Sequence, residues 1–150
     1  MRATLAAALL LSASSLTGCG DAVRERAEPG FQPFDPTGLD MECRFVSMRD
    51  GSDSALPVFV SFSGDGVDNA RVNYSGEVLK LGSADGMDPE YEGSQYISYR
   101  IQEYGNFSVD LSVNSMPGED GQPSKFEGTL TFVGGPEFVT EPIAGSCGDG

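Results

Sequence analysis

The stretch Phe107-Ser-Val-Asp-Leu-Ser-Val-Asn114 decides the fold. Phe107, Val109, Leu111 and Val113 fall on one side of an extended chain, and Ser108, Asp110, Ser112 and Asn114 fall on the other. That two-residue period belongs to a strand with one buried face. Residues 125–133 repeat it, with Phe126, Gly128, Leu130 and Phe132 expected inward and Lys125, Glu127, Thr129 and Thr131 outward. Upstream, residues 95–102 place Ile97, Tyr99 and Ile101 on one side and join the first stretch through Tyr104-Gly105-Asn106. Val72 and Tyr74 lead through Ser75-Gly76 into 78–81, the pattern of a tight hairpin. Val58, Val60 and Phe62 alternate in a further strand, and 43–48 and 138–143 complete the set.

This makes about eight short strands with polar turns between them, and no stretch carries the period of a long amphipathic helix. Short links between consecutive strands favour antiparallel neighbours. The expected fold is therefore all-β, one domain over 41–150, built as a small antiparallel meander barrel or a sandwich. The inward Phe and Leu positions would fill a barrel of this size rather than leave a ligand chamber.

Composition narrows the chemistry. Among 150 residues there are 23 acidic and 9 basic side chains, a net charge of −14, with no His and no Trp. Without His there is no His-based catalytic triad, no His-ligated zinc and no imidazole pH switch. The acidic balance argues against nucleic acid as a partner, since phosphates would be repelled. No Ser-x-x-Lys precedes Lys80 or Lys125, no glycine-rich phosphate loop occurs, and carboxylate pairs in so acidic a chain carry no specificity. The chain is not expected to be an enzyme and no cofactor is expected. Asp65-Gly66-Val67-Asp68-Asn69 offers oxygen ligands but not the spacing of a calcium loop, so it reads as a turn and no metal is assigned. Residues 41–150 hold 18 acidic and 6 basic side chains, a net −12 that suits either solubility or a basic protein partner.

The N-terminus carries an address. Met1-Arg2 supplies a positive start and 5–11 an unbroken apolar run, too short to span a bilayer but suited to a secretory signal. It ends in Leu16-Thr17-Gly18-Cys19, which resembles the bacterial lipobox. The resemblance implies removal of 1–18 and lipid attachment at Cys19, so that the membrane itself is a partner. Gly20, not Asp, follows the Cys, which by the same resemblance points to the outer membrane facing the periplasm. Residues 19–40, rich in Pro and Gly, read as a flexible tether of about 25 Å. Whether Phe31 and Phe34 dock on the domain is left open. With Cys19 lipidated in an oxidising compartment, Cys43 and Cys147 have only each other to pair with; the alternative is two free thiols.

Ser83-Ala84-Asp85-Gly86, followed by Tyr91-Glu92-Gly93, resembles the Ser-Ala-Ser-Gly-x-x-Tyr loop of the membrane-bound inhibitors of c-type lysozyme. The lipobox, acidity and end-to-end Cys pair are similar too. The resemblance implies that the 83–93 loop enters the lysozyme cleft, with Ser83, Asp85 and Tyr91 as partner-binding residues. Asp85 stands where the family has its second contacting Ser.

Overall fold

The computed structural model describes residues 29–49, 56–63, 66–117, 125–136 and 138–148. Eight strands follow in chain order: β1 Cys43–Ser47, β2 Phe59–Ser61, β3 Gly66–Tyr74, β4 Glu77–Ser83, β5 Ser94–Ile101, β6 Ser108–Met116, β7 Lys125–Val133 and β8 Val139–Cys147. Each pairs antiparallel with its sequence neighbour, and β1 pairs with β8, closing a barrel. The choice between barrel and sandwich is thereby settled for the barrel.

The deciding stretch behaves as its alternation requires. Val109, Leu111 and Val113 are buried in the interior, beside Ile97, Tyr99 and Ile101 of β5 and Phe126 and Leu130 of β7. The Ser75-Gly76 turn takes positive φ at both positions, 53° and 84°, the two-residue geometry that matches strand twist. Cys43 and Cys147 face each other across the β1–β8 seam and are disulfide-bonded.

Two strands depart from the sequence reading. In β2 it is Phe59 that reaches the interior, edge-on between Phe45 (5.9 Å between ring centroids) and Tyr99 (5.4 Å). Val60 is also fully buried, yet it lies outside the interior cluster and opposite the exposed Arg44. The reason is a second cover. The Gln32 N–H donates to the Asn73 carbonyl, the Phe34 N–H to the Pro57 carbonyl, and the Asn73 side chain to the Pro33 carbonyl. Phe31 and Phe34 are buried, so part of the stretch read as tether belongs to the folded unit. A strand covered on both faces loses its alternation and becomes a plain apolar run. The second departure is β8, which continues past Ile143 through Ala144, Gly145 and Ser146 to Cys147. Small residues there admit the Phe45 ring: a Cβ on Gly145 would lie 2.5 Å from Phe45 Cδ1.

The barrel has two unlike ends. At the entry end, Phe31 bridges to Tyr74 and the chain joins the domain. There the Tyr74 ring stacks on Phe132 at 4.0 Å between centroids, with 9° between planes. β3 and β7 stand four strands apart in an eight-stranded barrel, so this stack crosses the lumen. Phe31 on one side and Phe107 and Tyr104 on the other extend it into a five-ring chain that plugs the end. At the far end Met87 is buried against the interior cluster.

Candidate functional site

The 83–93 loop joins β4 to β5 at the far end, and its anchors are local. Asn69, buried on β3, exchanges two hydrogen bonds with the backbone of Ser83: its amide nitrogen donates to the Ser83 carbonyl at 2.8 Å and its oxygen accepts from the Ser83 N–H at 3.1 Å. Gln95 grips Asp88 in the same way, at 3.0 and 2.8 Å. The Glu90 N–H donates to the Asp88 carboxylate, and the Gly93 N–H donates to Ser115 Oγ at 2.7 Å. With Met87 buried as a plug, the loop is held at both feet and in the middle. Gly93 sits at φ +128°, and a Cβ there would come 3.3 Å from the Tyr91 ring, so the ring lies beside a residue that has to be small.

Ser83 and Asp85 come together. Both line a groove of about 630 Å³ with Val67, Gly82, Ala84, Ser98, Arg100 and Gln102. Tyr91 is not part of that groove; it stands apart, half exposed, among the exposed Asp88, Glu90 and Glu92. The three residues that the resemblance groups are therefore split, with Ser83 pinned at the end of a strand and Tyr91 on the loop itself. Beside the groove on β5, Tyr96 is exposed and its hydroxyl donates to Asp110 at 2.5 Å, while Ser98 Oγ donates to the other oxygen of that carboxylate at 2.7 Å. The hydrogen bond to Asp110 holds the Tyr96 phenol protonated above its ordinary range.

A second groove, about 540 Å³, runs between residues 38–42 and the β2–β3 connection. Arg71 lines it, with its guanidinium 5.3 Å from the centroid of Phe62 and ion-paired to Asp68. The Arg71 hydrogen bond draws the Asp68 carboxyl below its usual range. Asp68 and Asn69 are thus both engaged by protein groups. Among the described residues no cluster of three or more acidic or Cys side chains could hold a metal ion. Cys19 and residues 1–18 lie outside the described residues.

Sequence reasoning missed an interior carboxylate. Glu141 follows Val139 and precedes Ile143 in the inward period of β8, and it is buried at the entry end. Ser47 donates to one of its oxygens, and Arg49 forms a 3.1 Å ion pair with the other while also donating to the Thr140 carbonyl. An inward Glu at a strand position was the available signal. Tyr99 is inward as its spacing requires, and its hydroxyl is buried in the lumen without a protein hydrogen-bond partner. Burial, reinforced by the charge of Glu42, pushes its ionisation well above the ordinary tyrosine range.

Alkaline pH is therefore expected to weaken the fold through Tyr99. The folded chain holds the Tyr99 proton where the unfolded chain, titrating near about 10, releases it. This contribution to stability is complete below that value and is lost as pH rises through it toward the folded value. Tyr99→Phe should remove the largest share of the dependence, leaving that of Tyr74, Tyr96 and Tyr104, whose phenols are also raised, and, because the orphaned hydroxyl goes too, leave the protein as stable at neutral pH or about 1 kcal/mol more so. Urea titrations at neutral pH and at pH above about 10 check both statements; a neutral-pH loss of stability would show that the hydroxyl has a partner.

Compared with protein-family models, with characterised proteins and with solved structures, the chain matches none.

Proposed function

We propose that this chain is a non-catalytic lipoprotein of the bacterial envelope, held to the membrane through lipid on Cys19 and using its acidic barrel to bind a protein partner from outside. The observation that carries the reading is the filled lumen: a five-ring plug at one end, Met87 at the other and the Phe45–Phe59–Tyr99 ladder between them. Among the described residues the interior is packed with side chains rather than lining a chamber, which favours recognition at the surface. That surface is acidic, which favours a basic partner and a salt-sensitive encounter. Facing the periplasm from the outer membrane is the location this reading assigns.

The anchor is tested by expressing the full chain in a Gram-negative host. The expected result is a mature protein that starts at Cys19 and carries the mass of its acyl chains, and Cys19→Ser moves it from the membrane to the soluble fraction. A wild-type chain recovered soluble, with an unmodified Cys19, would remove the anchor.

A second reading has one observation in its favour. Tyr91 is half exposed on a loop held rigidly by Gln95, Ser115 and Met87, as a cleft-filling anchor would need to be. On this reading the loop inhibits c-type lysozyme by occlusion, although Asp85 would bring a third carboxylate to an acidic site. Lysis of bacterial walls by c-type lysozyme, with the protein added at rising salt, tests it. Inhibition that is stoichiometric, survives moderate salt and falls at least about tenfold in Tyr91→Ala, a loss of roughly 1.4 kcal/mol, supports occlusion. Inhibition equal to that of an unrelated acidic protein rejects it.

A further inference from the structure

We infer that the entry end of the barrel is a membrane-docking face, seated on the bilayer by Phe138, Leu56 and Met48. The inference rests on the lipid anchor proposed above and specifies how the anchored domain sits.

Three neighbouring strands place these side chains together. Phe138 immediately precedes β8, Met48 immediately follows β1, and Leu56 leads into β2, while the order around the barrel is β8, β1, β2. Because the strands run antiparallel, all three positions fall at the same end. Phe138 is 73% exposed, Met48 47% and Leu56 44%. Beside them stands the exposed Arg49, whose partner Glu141 is itself buried. Among the described residues, the exposed acids at the strand ends here, Glu77 and Glu103, belong to the β3–β4 and β5–β6 turns, across the barrel mouth from β8 and β1, while Asp50, Asp53 and Glu137, in the same connections as the apolar side chains, lie outside the described residues. Exposed apolar side chains gathered at one end suit an interface whose acyl boundary is close beneath its headgroups. The barrel therefore leans on its β8–β1–β2 side, with the two acids lifted clear.

The path of the chain supplies the occupant. The next strand round the rim is β3, and at its end Tyr74 takes the Phe31 bridge, while the Ser75 N–H donates to the Gly30 carbonyl. The N-terminal segment therefore reaches the domain at this same end, one strand from Leu56. Twelve positions separate Cys19 from Phe31, so along the chain the two are at most about 40 Å apart. A tether that short, fixed at the entry end, keeps that end near the lipid. The far end holds the 83–93 loop, where Asp85, Asp88, Glu90 and Glu92 accompany Tyr91, and an anionic bilayer repels it. Anchor position, apolar rim and the acidic far-end loop thus agree on one orientation, with Tyr91 pointing away from the membrane.

The chain has no Trp, which makes the test direct. Phe138→Trp and Tyr91→Trp each introduce a single fluorophore at an exposed position. Both full-length variants are made acylated, checked by intact mass, and reconstituted in vesicles of phosphatidylethanolamine and phosphatidylglycerol containing lipids brominated near the top of the acyl chain. The expected result is quenching of the indole emission by about twofold or more in Phe138→Trp, with no change in Tyr91→Trp. Equal quenching in the two variants, or stronger quenching in Tyr91→Trp, overturns the orientation while leaving the anchor standing. An intact mass without acyl chains removes the anchor and the orientation with it. A concentration-dependent blue shift of Phe138→Trp emission without vesicles assigns the face to a second copy of the chain and overturns membrane docking.

Discussion

Replacement of both Cys43 and Cys147 by Ala is expected to cost about 3–5 kcal/mol and to lower the melting temperature by roughly 15 °C or more. The bond spans 104 residues, so in the unfolded chain it closes a loop that contains nearly the whole domain. Loops of that length give the largest entropic effect of a cross-link. The position adds to this. Cys43 and Cys147 are direct partners on β1 and β8, whose pairing is, among the described strands, the only one between strands that are not neighbours in sequence. Thermal melts of wild type, reduced wild type and the double variant measure the loss. A double variant that melts with the oxidised protein would show that the seam is held by its ladder alone.

Gly128→Val is expected to be as damaging, with a loss above about 3 kcal/mol, and Gly128→Ala to be intermediate. Gly128 pairs with Val113 in the β6–β7 ladder, at an inward position between Phe126 and Leu130. A Cβ there would lie 1.9 Å from the Ser112 carbonyl oxygen and 2.7 Å from Val113 Cα. These are backbone atoms of the partner strand and cannot rotate away, so any side chain has to force the strands apart in mid-barrel. Near-UV dichroism and thermal melts read the effect; wild-type behaviour of Gly128→Ala would show that the two strands can separate there at little cost.

How far these features were legible depends on the range of the interaction. Local patterns were readable: β7 occupies the 125–133 stretch that its alternation marks, and Ile97, Tyr99 and Ile101 are buried as their spacing requires. The Ser75-Gly76 turn was readable because positive φ has its own residue preference. Barrel closure was not, because antiparallel neighbours are common to a barrel and a sandwich and only the β1–β8 pairing separates them. Val60 misled because the cover on its outer side comes from the segment around Phe34, far away in sequence. Glu141 escaped notice because its partners Ser47 and Arg49 lie more than 90 residues upstream. For the candidate loop, the sequence located Ser83, Asp85 and Tyr91, but not the Asn69 and Gln95 clamps that send Ser83 and Tyr91 to different places.

The neighbour-by-neighbour order of the strands also bears on how the domain forms. Seven of its eight strand pairings are between consecutive strands, so each can zip onto the last with a short loop to close. Only the final act, bringing β8 to β1, is non-local, and it carries most of the search cost. The sheet can therefore assemble as an open, curling ribbon whose two free edges meet last. During that interval β1 and β8 are exposed strand edges, and a chain made where disulfides form late is most open to edge-to-edge association at those two strands.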